Sequence, residues 1–571
     1  MSRPRQLGTR LRASPHHVQP DSTGPLAAAT PAGDLNPIRL GRRSLLNAAS
    51  SAASFLWPVL LLAVATPFIL QRLGLERYGA WAFINALLAV TGAFSLGLGD
   101  GTVKLVAEAH ARRHLTRLNQ VLGVALTLYA ILGVALGLAL ALVSPLLITR
   151  VVAVSEAFRG EVLVALWLAI LTMIVTLAAT PLARFATAVQ RYEWAATIDI
   201  VYRSLAVIVQ VVLLWLGYAL VAIALAMLVL TVLRIAAQLT LARHLEPGLR
   251  PRPAEGREIV RRLWSFSFYG ACIYVGGQAM QHLDRLLIGV LVGPATLTYY
   301  VVAQAVSSRI HLLLAHTSHF LFPLSSTLAA AGNRRQLARS FHLSTRMIAV
   351  LALALATPVI LGAEPLLRLW LSADFARNAA VVLQWLTVGY ALMSLNLSAY
   401  YLLQGTERPR INAVFALLAV VGVATVYVLA VPRWHLVGAA SGIVFYHGAS
   451  TLAQLAVVQR RILGRPLWGL ARVLGGAAVG GLVTLLLAAY VGSLLSAPRL
   501  PILASAAGAL TLAGVGAALV VDWLLWGKDA LVWWCIRIAP TLRRRVSAAT
   551  PVSQPATATV QAGSGTAAGP S

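Results

Sequence analysis

Long apolar runs recur along the chain, and each closes on a short polar segment rich in arginine. A helix rises 1.5 Å per residue and a bilayer's hydrocarbon core is about 30 Å thick, so about 20 apolar residues make one span. Fourteen such stretches are predicted, over roughly 46–70, 79–99, 120–148, 161–182, 195–216, 218–241, 263–292, 296–322, 343–366, 379–403, 411–431, 435–458, 468–492 and 500–526. As one helix, 195–241 would reach about 70 Å, more than two bilayers, so Gly217 between its apolar halves is the expected hairpin. The expectation is an all-α integral membrane protein of about fourteen transmembrane helices.

Composition agrees. Of the 571 residues 59% are hydrophobic and 11% charged, and mean hydropathy is +0.78, whereas soluble domains run at about 45–50% apolar and about 25% charged. The net charge of +28 does not indicate nucleic acid, because the charges sit in short loops between apolar runs. Two cysteines, Cys272 in an apolar run and Cys535 near the C-terminal tail, lack the spacing of a zinc site or a disulfide framework. Residues 1–44 and 547–571, rich in Pro, Ser, Thr and Ala, read as disordered, and the first of these lacks the short apolar core of a signal peptide.

Charge orients the spans. With the N-terminus in the cytoplasm, the tails and even-numbered loops hold thirty-four basic residues and the odd-numbered loops hold eight: Arg72, Arg77, Arg150, Arg159, Arg368, Arg377, Arg433 and Arg499. Both termini are then expected in the cytoplasm, in an inner membrane. Three landmarks repeat. Leu73-Gly74 with Tyr78 recurs as Val292-Gly293 with Tyr299, a shift of 219 between the glycines; Arg112-Arg113 recurs as Arg334-Arg335, a shift of 222; Gln190-Arg191 recurs as Glu407-Arg408, a shift of 217. A six-span unit preserves orientation, so two parallel six-helix lobes, related by an axis along the membrane normal, would enclose a site between them. The expected organisation is a cytoplasmic tail 1–44, an N-terminal lobe 45–242, a basic linker 243–262, a C-terminal lobe 263–460, two extra helices in 461–530, and a basic then disordered tail 531–571.

Ionisable groups deep in a span cost about 2.5–3.5 kcal/mol each on insertion scales and tend to face cavities. Asp199 and Arg203, four apart, share a helix face and form either a structural ion pair or part of a coupling site. Arg234 lies near a helix end and is expected to snorkel. Asp284 and Arg285 are about 100° apart around their helix and are not expected to face the same partner. Arg285 continues a polar stripe through Tyr274, Gln278 and Gln281. Tyr300, Gln304, Ser308 and His311 form a second stripe in the next span, with Arg309 beside it. Stripes of this kind line a wetted cavity or supply interhelical hydrogen bonds. His311, His316 and His319 do not share a face well enough for a metal, and the Gly97, Gly99, Gly101 run ends a membrane helix without following a strand, unlike a phosphate loop.

Several short motifs resemble those of Wzx-type polysaccharide and O-antigen flippases, within the superfamily of multidrug, oligosaccharidyl-lipid and polysaccharide exporters. They are Arg72-Leu73-Gly74-Leu75-Glu76-Arg77-Tyr78-Gly79-Ala80-Trp81, Leu96-Gly97-Leu98-Gly99-Asp100-Gly101 and Asp284-Arg285-Leu286-Leu287-Ile288-Gly289. The resemblance covers about 70–526. It implies two six-helix lobes and non-enzymatic export of a polyprenyl-pyrophosphate-linked oligosaccharide, with membrane lipid and polysaccharide polymerase machinery as partners and no cofactor. On that reading Arg285 and Arg309 meet the pyrophosphate, which suits the planar, permanently charged guanidinium. Gln278, Gln281, Gln304 and His311 are the further substrate-binding candidates, with the glutamines suited to sugar hydroxyls; Asp284 or a histidine is the candidate carrier of a coupling proton, and Asp199 with Arg203 is a coupling site or an ion pair. A lipid II flippase and a MATE-type drug exporter are the alternatives within the superfamily. A membrane glycosyltransferase or polymerase is disfavoured because the longest internal loops are about 20 residues.

Overall fold

The computed structural model describes residues 37–152, 154–252, 258–261, 278, 281–494, 500–527 and 530–531. Cys272, Cys535, Tyr274, most of the predicted seventh span and the larger part of both tails lie outside the described residues. Among the described residues there are helices and no strand. In chain order they are α1 (Pro37–Ala111), α2 (Leu115–Leu146), α3 (Glu156–Ala178), α4 (Thr180–Ala188), α5 (Tyr192–Trp215), α6 (Leu220–Leu245), α7 (281–291), α8 (Pro294–Ser318), α9 (Leu321–Ala330), α10 (Arg334–Leu361), α11 (Ala363–Trp370), α12 (Ala373–Leu395), α13 (Leu397–Gly405), α14 (Pro409–Val457), α15 (Trp468–Leu494) and α16 (Leu500–Trp526). Helix α1 begins at Pro37, inside the segment expected to be disordered, with proline at the first helical position, where its missing N–H costs nothing.

Two of these helices are too long to be single spans. α1 has 75 residues and is broken at Gly74 (φ 78°); α14 has 49 and is broken at His435 (φ 49°). At 1.5 Å per residue each would otherwise exceed two bilayers. Divided there, and with α3–α4 and α12–α13 each read as one interrupted span, the helices follow the predicted order.

The backbone carries the repeat more sharply than the side chains do. Within the two lobes the left-handed residues occur in pairs: Gly74 and Gly293, Arg113 and Gly332, Gln190 and Glu407, Gly217 and His435. The separations are 219, 219, 217 and 218 residues. The joint between α3 and α4 at Ala179 matches the joint between α12 and α13 at Asn396, again 217 apart. Equivalent turns also close identically. Arg191 N donates to Ala186 O at 2.8 Å and Arg408 N to Leu403 O at 2.9 Å, each bond reaching back five residues across a left-handed cap. The arginine pairs at 112 and 334 mislead by three residues, because the cap at Arg113 corresponds to Gly332. The chain is a multi-pass membrane protein of two parallel six-helix lobes, with α15 and α16 added.

Among the described residues, those from Ala53 onward form one compact main unit, to which 37–52 do not belong. In the main unit a broad apolar belt stays exposed, including Val64, Leu142, Trp215, Phe445 and Leu512. For a chain in lipid this belt meets acyl chains. The largest buried cluster joins the halves: Ala80, Phe83, Ile84 and Leu166 from the first pack with Ile288, Leu297, Tyr300 and Leu383 from the second. The extra helices are anchored by charge. Arg346 of α10 donates to Asp522 of α16 at 2.8 Å, both side chains are 4% exposed, and the guanidinium lies 4.2 Å from the Trp526 ring centre.

Candidate functional site

The segment after the break at Gly74 gathers one end of the bundle. Arg77 Nε donates to Glu161 Oε2 at 2.8 Å, and Glu161 Oε1 accepts from Leu220 N at 3.0 Å, which ties α1, α3 and the start of α6 together. Glu76 accepts from the backbone N and hydroxyl of Ser155 at 2.6 and 3.0 Å. The same segment meets the other half. Thr298 Oγ1 donates to Leu75 O at 2.6 Å, and a Cβ on Gly79 would stand 1.7 Å from Pro294 O. Trp370 Nε1 donates to Ala63 O at 2.8 Å. Among the described residues, both hydrogen bonds between the halves lie on the Gly74 and Gly293 side of the bundle. That end is closed, backbone against backbone.

In the second half, α7, α8, α12 and α14 converge on Asp284, which is 3% exposed. Its carboxylate accepts from Tyr300 Oη (2.7 Å), from Arg285 N (2.7 Å) and from Gln304 Nε2. The Gln304 amide works at both ends: Oε1 accepts from Arg285 Nε at 2.7 Å, and Nε2 also donates to Tyr390 Oη at 3.0 Å. Tyr300 Oη and Tyr427 Oη are 2.8 Å apart. A buried carboxylate is tolerated when its lone pairs are filled, and here three donors fill them. Arg285 emerges from this network half-buried. Among the described residues Arg309 donates only to Ala305 O, at 3.3 Å, within its own helix.

Two cavities are lined mainly by the first half, the smaller one completed by Gln278 of the second. One, of about 520 Å³, is lined by Trp81, Asn85, Thr176, Tyr202 and Gln278. The other, of about 760 Å³, shares Thr176 and Thr180 with it and lies between α4, α5 and α6, lined by Arg184, Asp199, Arg203, Arg234 and Gln238.

The residues singled out in the sequence fall into separate groups. Arg285, Gln304 and Asp284 come together, with Arg309 close by. Gln278 faces the smaller first-half cavity, Gln281 is exposed, and His311 Nδ1 lies 3.2 Å from Ser394 Oγ. Asp284 and Arg285 do share a partner, contrary to expectation, because one Gln304 amide presents an N–H to the carboxylate and an oxygen to the guanidinium. Tyr300 and Gln304 are buried and bond other helices, turned into the core against α12 and α14. Arg234 does not snorkel. It turns inward to stand 3.8 Å from Asp199 and stacks 4.4 Å from the Tyr202 ring centre; the exposed Arg203 reaches Asp199 at the same distance. Sequence reasoning missed Tyr390 and Tyr427, which carry no signal of their own. It also missed Arg346 and Asp522, which the rule applied to the other ionisable residues inside spans would have found.

A sequence profile described as polysaccharide biosynthesis protein matches residues 69–380. No curated protein matches the sequence. Solved structures share the fold at low identity. The lipid II flippase MurJ in an inward closed conformation superposes with a TM-score of 0.63 at 10% identity, over 83% of this chain and 98% of that one. An inward-facing multidrug resistance MATE family transporter of the MOP superfamily gives 0.62 at 15% identity, over 71% and 95%. The MATE multidrug transporter DinF-BH gives 0.55 at 16% identity, over 74% and 97%. The profile match spans more than half of the sequence, and on it the chain belongs to the polysaccharide biosynthesis protein family.

Proposed function

We propose that the protein is an alternating-access flippase that carries a polyprenyl-pyrophosphate-linked oligosaccharide across a bacterial inner membrane, moving its cargo without altering it. Family membership supports the pathway. The closed Gly74 end, with polar cavities in the first half and paired cations in the second, supports the transport cycle. The arginine bias supports cytoplasmic termini, so that the closed end faces the periplasm and the described state is ready to load from the cytoplasm. The lobes are 45–242 and 263–460, joined by the basic segment 243–262. Surface polysaccharide polymerase machinery would receive the cargo.

The observation that carries the site is the pair of half-buried guanidinium groups on successive helices, Arg285 and Arg309, with no carboxylate within salt-bridge distance among the described residues. A diphosphate between them would offset both charges and take the forked donors of both. Gln304 holds Arg285 in place, and Asp284 holds Gln304. Gln278, Gln281 and His311 are polar groups for the glycan, with Asp284 or the Asp199–Arg203 pair as coupling groups. The test is reconstitution in liposomes with a fluorescent lipid-linked oligosaccharide. Arg285→Ala and Arg309→Ala should each abolish flipping at normal protein level, while Lys should retain part of it. Normal flipping by both Ala variants would remove these arginines from the site.

A further inference from the structure

The larger first-half cavity is under-neutralised. It holds three guanidinium groups, Arg184, Arg203 and Arg234, against one carboxylate, Asp199, a net charge of +2. Asp199 stands 3.8 Å from Arg203 Nη2 and 3.8 Å from Arg234 Nη1, beyond hydrogen-bonding distance to either. Arg234 Nε is buried and has no hydrogen-bond partner among the described residues. Arg184 is half-buried on the cavity wall, with neither ion pair nor hydrogen bond among the described residues. A guanidinium cannot shed its proton to relieve this, so the charge persists and calls for an anion.

The surroundings say where the anion comes from. Helix α5 forms the outer wall, packed on α6 and α4. Its other face exposes Val201, Leu205, Ile208 and Val212, an acyl-chain surface. Arg203 lies in sequence between two of those residues with its side chain 65% exposed. The cavity sits at the ends of α4 and α6 and the start of α5, close to Gln190 and Arg243 and hence to the depth of headgroups. A phosphate at that depth can enter while its chains stay in the bilayer.

We propose that Arg184, Arg203 and Arg234 form a binding site for a lipid-borne phosphate ester of the adjoining leaflet. Arg184 and Arg203 grip phosphate oxygens, Arg234 supplies buried charge from its stack on Tyr202, and Asp199 spaces the guanidinium groups and sets the net charge. The chemistry serves two sources, a resident anionic phospholipid or a prenyl diphosphate. The site shares Asp199 and Arg203 with the coupling groups named above but uses neither Arg285 nor Arg309, and so it does not rest on that pair.

The test is binding to the full-length protein in phosphatidylcholine nanodiscs. Probes are phosphatidylglycerol, a short-chain prenyl diphosphate and inorganic phosphate, read by native mass spectrometry and by intrinsic tryptophan fluorescence. Saturable lipid binding is expected to weaken about tenfold in Arg184→Gln and to tighten in Asp199→Asn, with Arg184→Lys recovering part of the loss. Arg184 has no structural partner to lose among the described residues, and an unchanged melting profile in pure phosphatidylcholine verifies the fold. Preference for phosphatidylglycerol identifies a resident lipid, and preference for the diphosphate identifies captured cargo; either supports the site. Lipid binding unchanged in both Arg184→Gln and Arg203→Gln, or retention of inorganic phosphate alone, overturns it.

Discussion

Gly79 offers the sharpest perturbation of the closed end. A methyl group there would sit 1.7 Å from Pro294 O and 2.8 Å from Thr298 Oγ1. The first neighbour is backbone and cannot rotate away. Relieving the contact requires the two halves to part by about 1.5 Å, from 1.7 Å to an ordinary carbon–oxygen separation. That movement would stretch the Thr298–Leu75 hydrogen bond from 2.6 Å to about 4 Å and break it. The lost bond costs about 1 kcal/mol and the overpacking about 1–3 kcal/mol. Gly79→Ala should therefore shift the equilibrium away from the closed state by about 2–4 kcal/mol, roughly 30- to 900-fold. Spin labels on Glu156 and Leu291, both exposed and on opposite halves, should show a longer distance in pulsed electron resonance. Flipping should fall because the protein no longer returns to the loading state. Gly160→Ala, at a position with nothing within 4 Å of the added carbon, is the matched control. An unchanged distance distribution and full transport in Gly79→Ala would mean that this contact does not hold the end shut.

The buried Arg346–Asp522 pair makes a second prediction: Arg346→Met or Asp522→Leu alone should destabilise the protein by about 3–5 kcal/mol, and the double replacement should recover most of it, measured by thermal unfolding in detergent. Tyr427→Phe removes the 2.8 Å contact with Tyr300 and should cost about 1–2 kcal/mol of stability while leaving the Asp284–Gln304–Arg285 chain in place; flipping reduced by more than a few-fold at normal abundance would assign Tyr427 a larger role. Asp284→Asn keeps the shape but removes the charge that orients Gln304, so flipping should fall about tenfold or more with abundance little changed; full activity would exclude coupling through this carboxyl. Accessibility tags in 242–262 and at both termini should report the cytoplasm, and tags beside Arg159 and Arg377 the periplasm; termini on the outside would invert the orientation.

The sequence by itself determined the membrane class, the order of the spans and the repeat, because these depend on properties local to each stretch. An apolar run of about 20 residues has to be a helix in lipid, where every backbone group must be bonded internally. A hairpin at Gly217 follows from the length of 195–241 alone. Candidate site residues were legible only as costs: an ionisable group inside a span declares that it has a partner without naming it. Which partner it has is a property of packing between helices distant in sequence. Gln304 joining Asp284 to Arg285, Arg234 turned in towards Asp199, and Arg346 locked to Asp522 across 176 residues were all decided there. Rotation of a helix by one residue, about 100°, exchanges a cavity-lining side chain for a core one. The stripe at Tyr300 and Gln304 has the same period either way, and only the positions of α12 and α14 turned it inward.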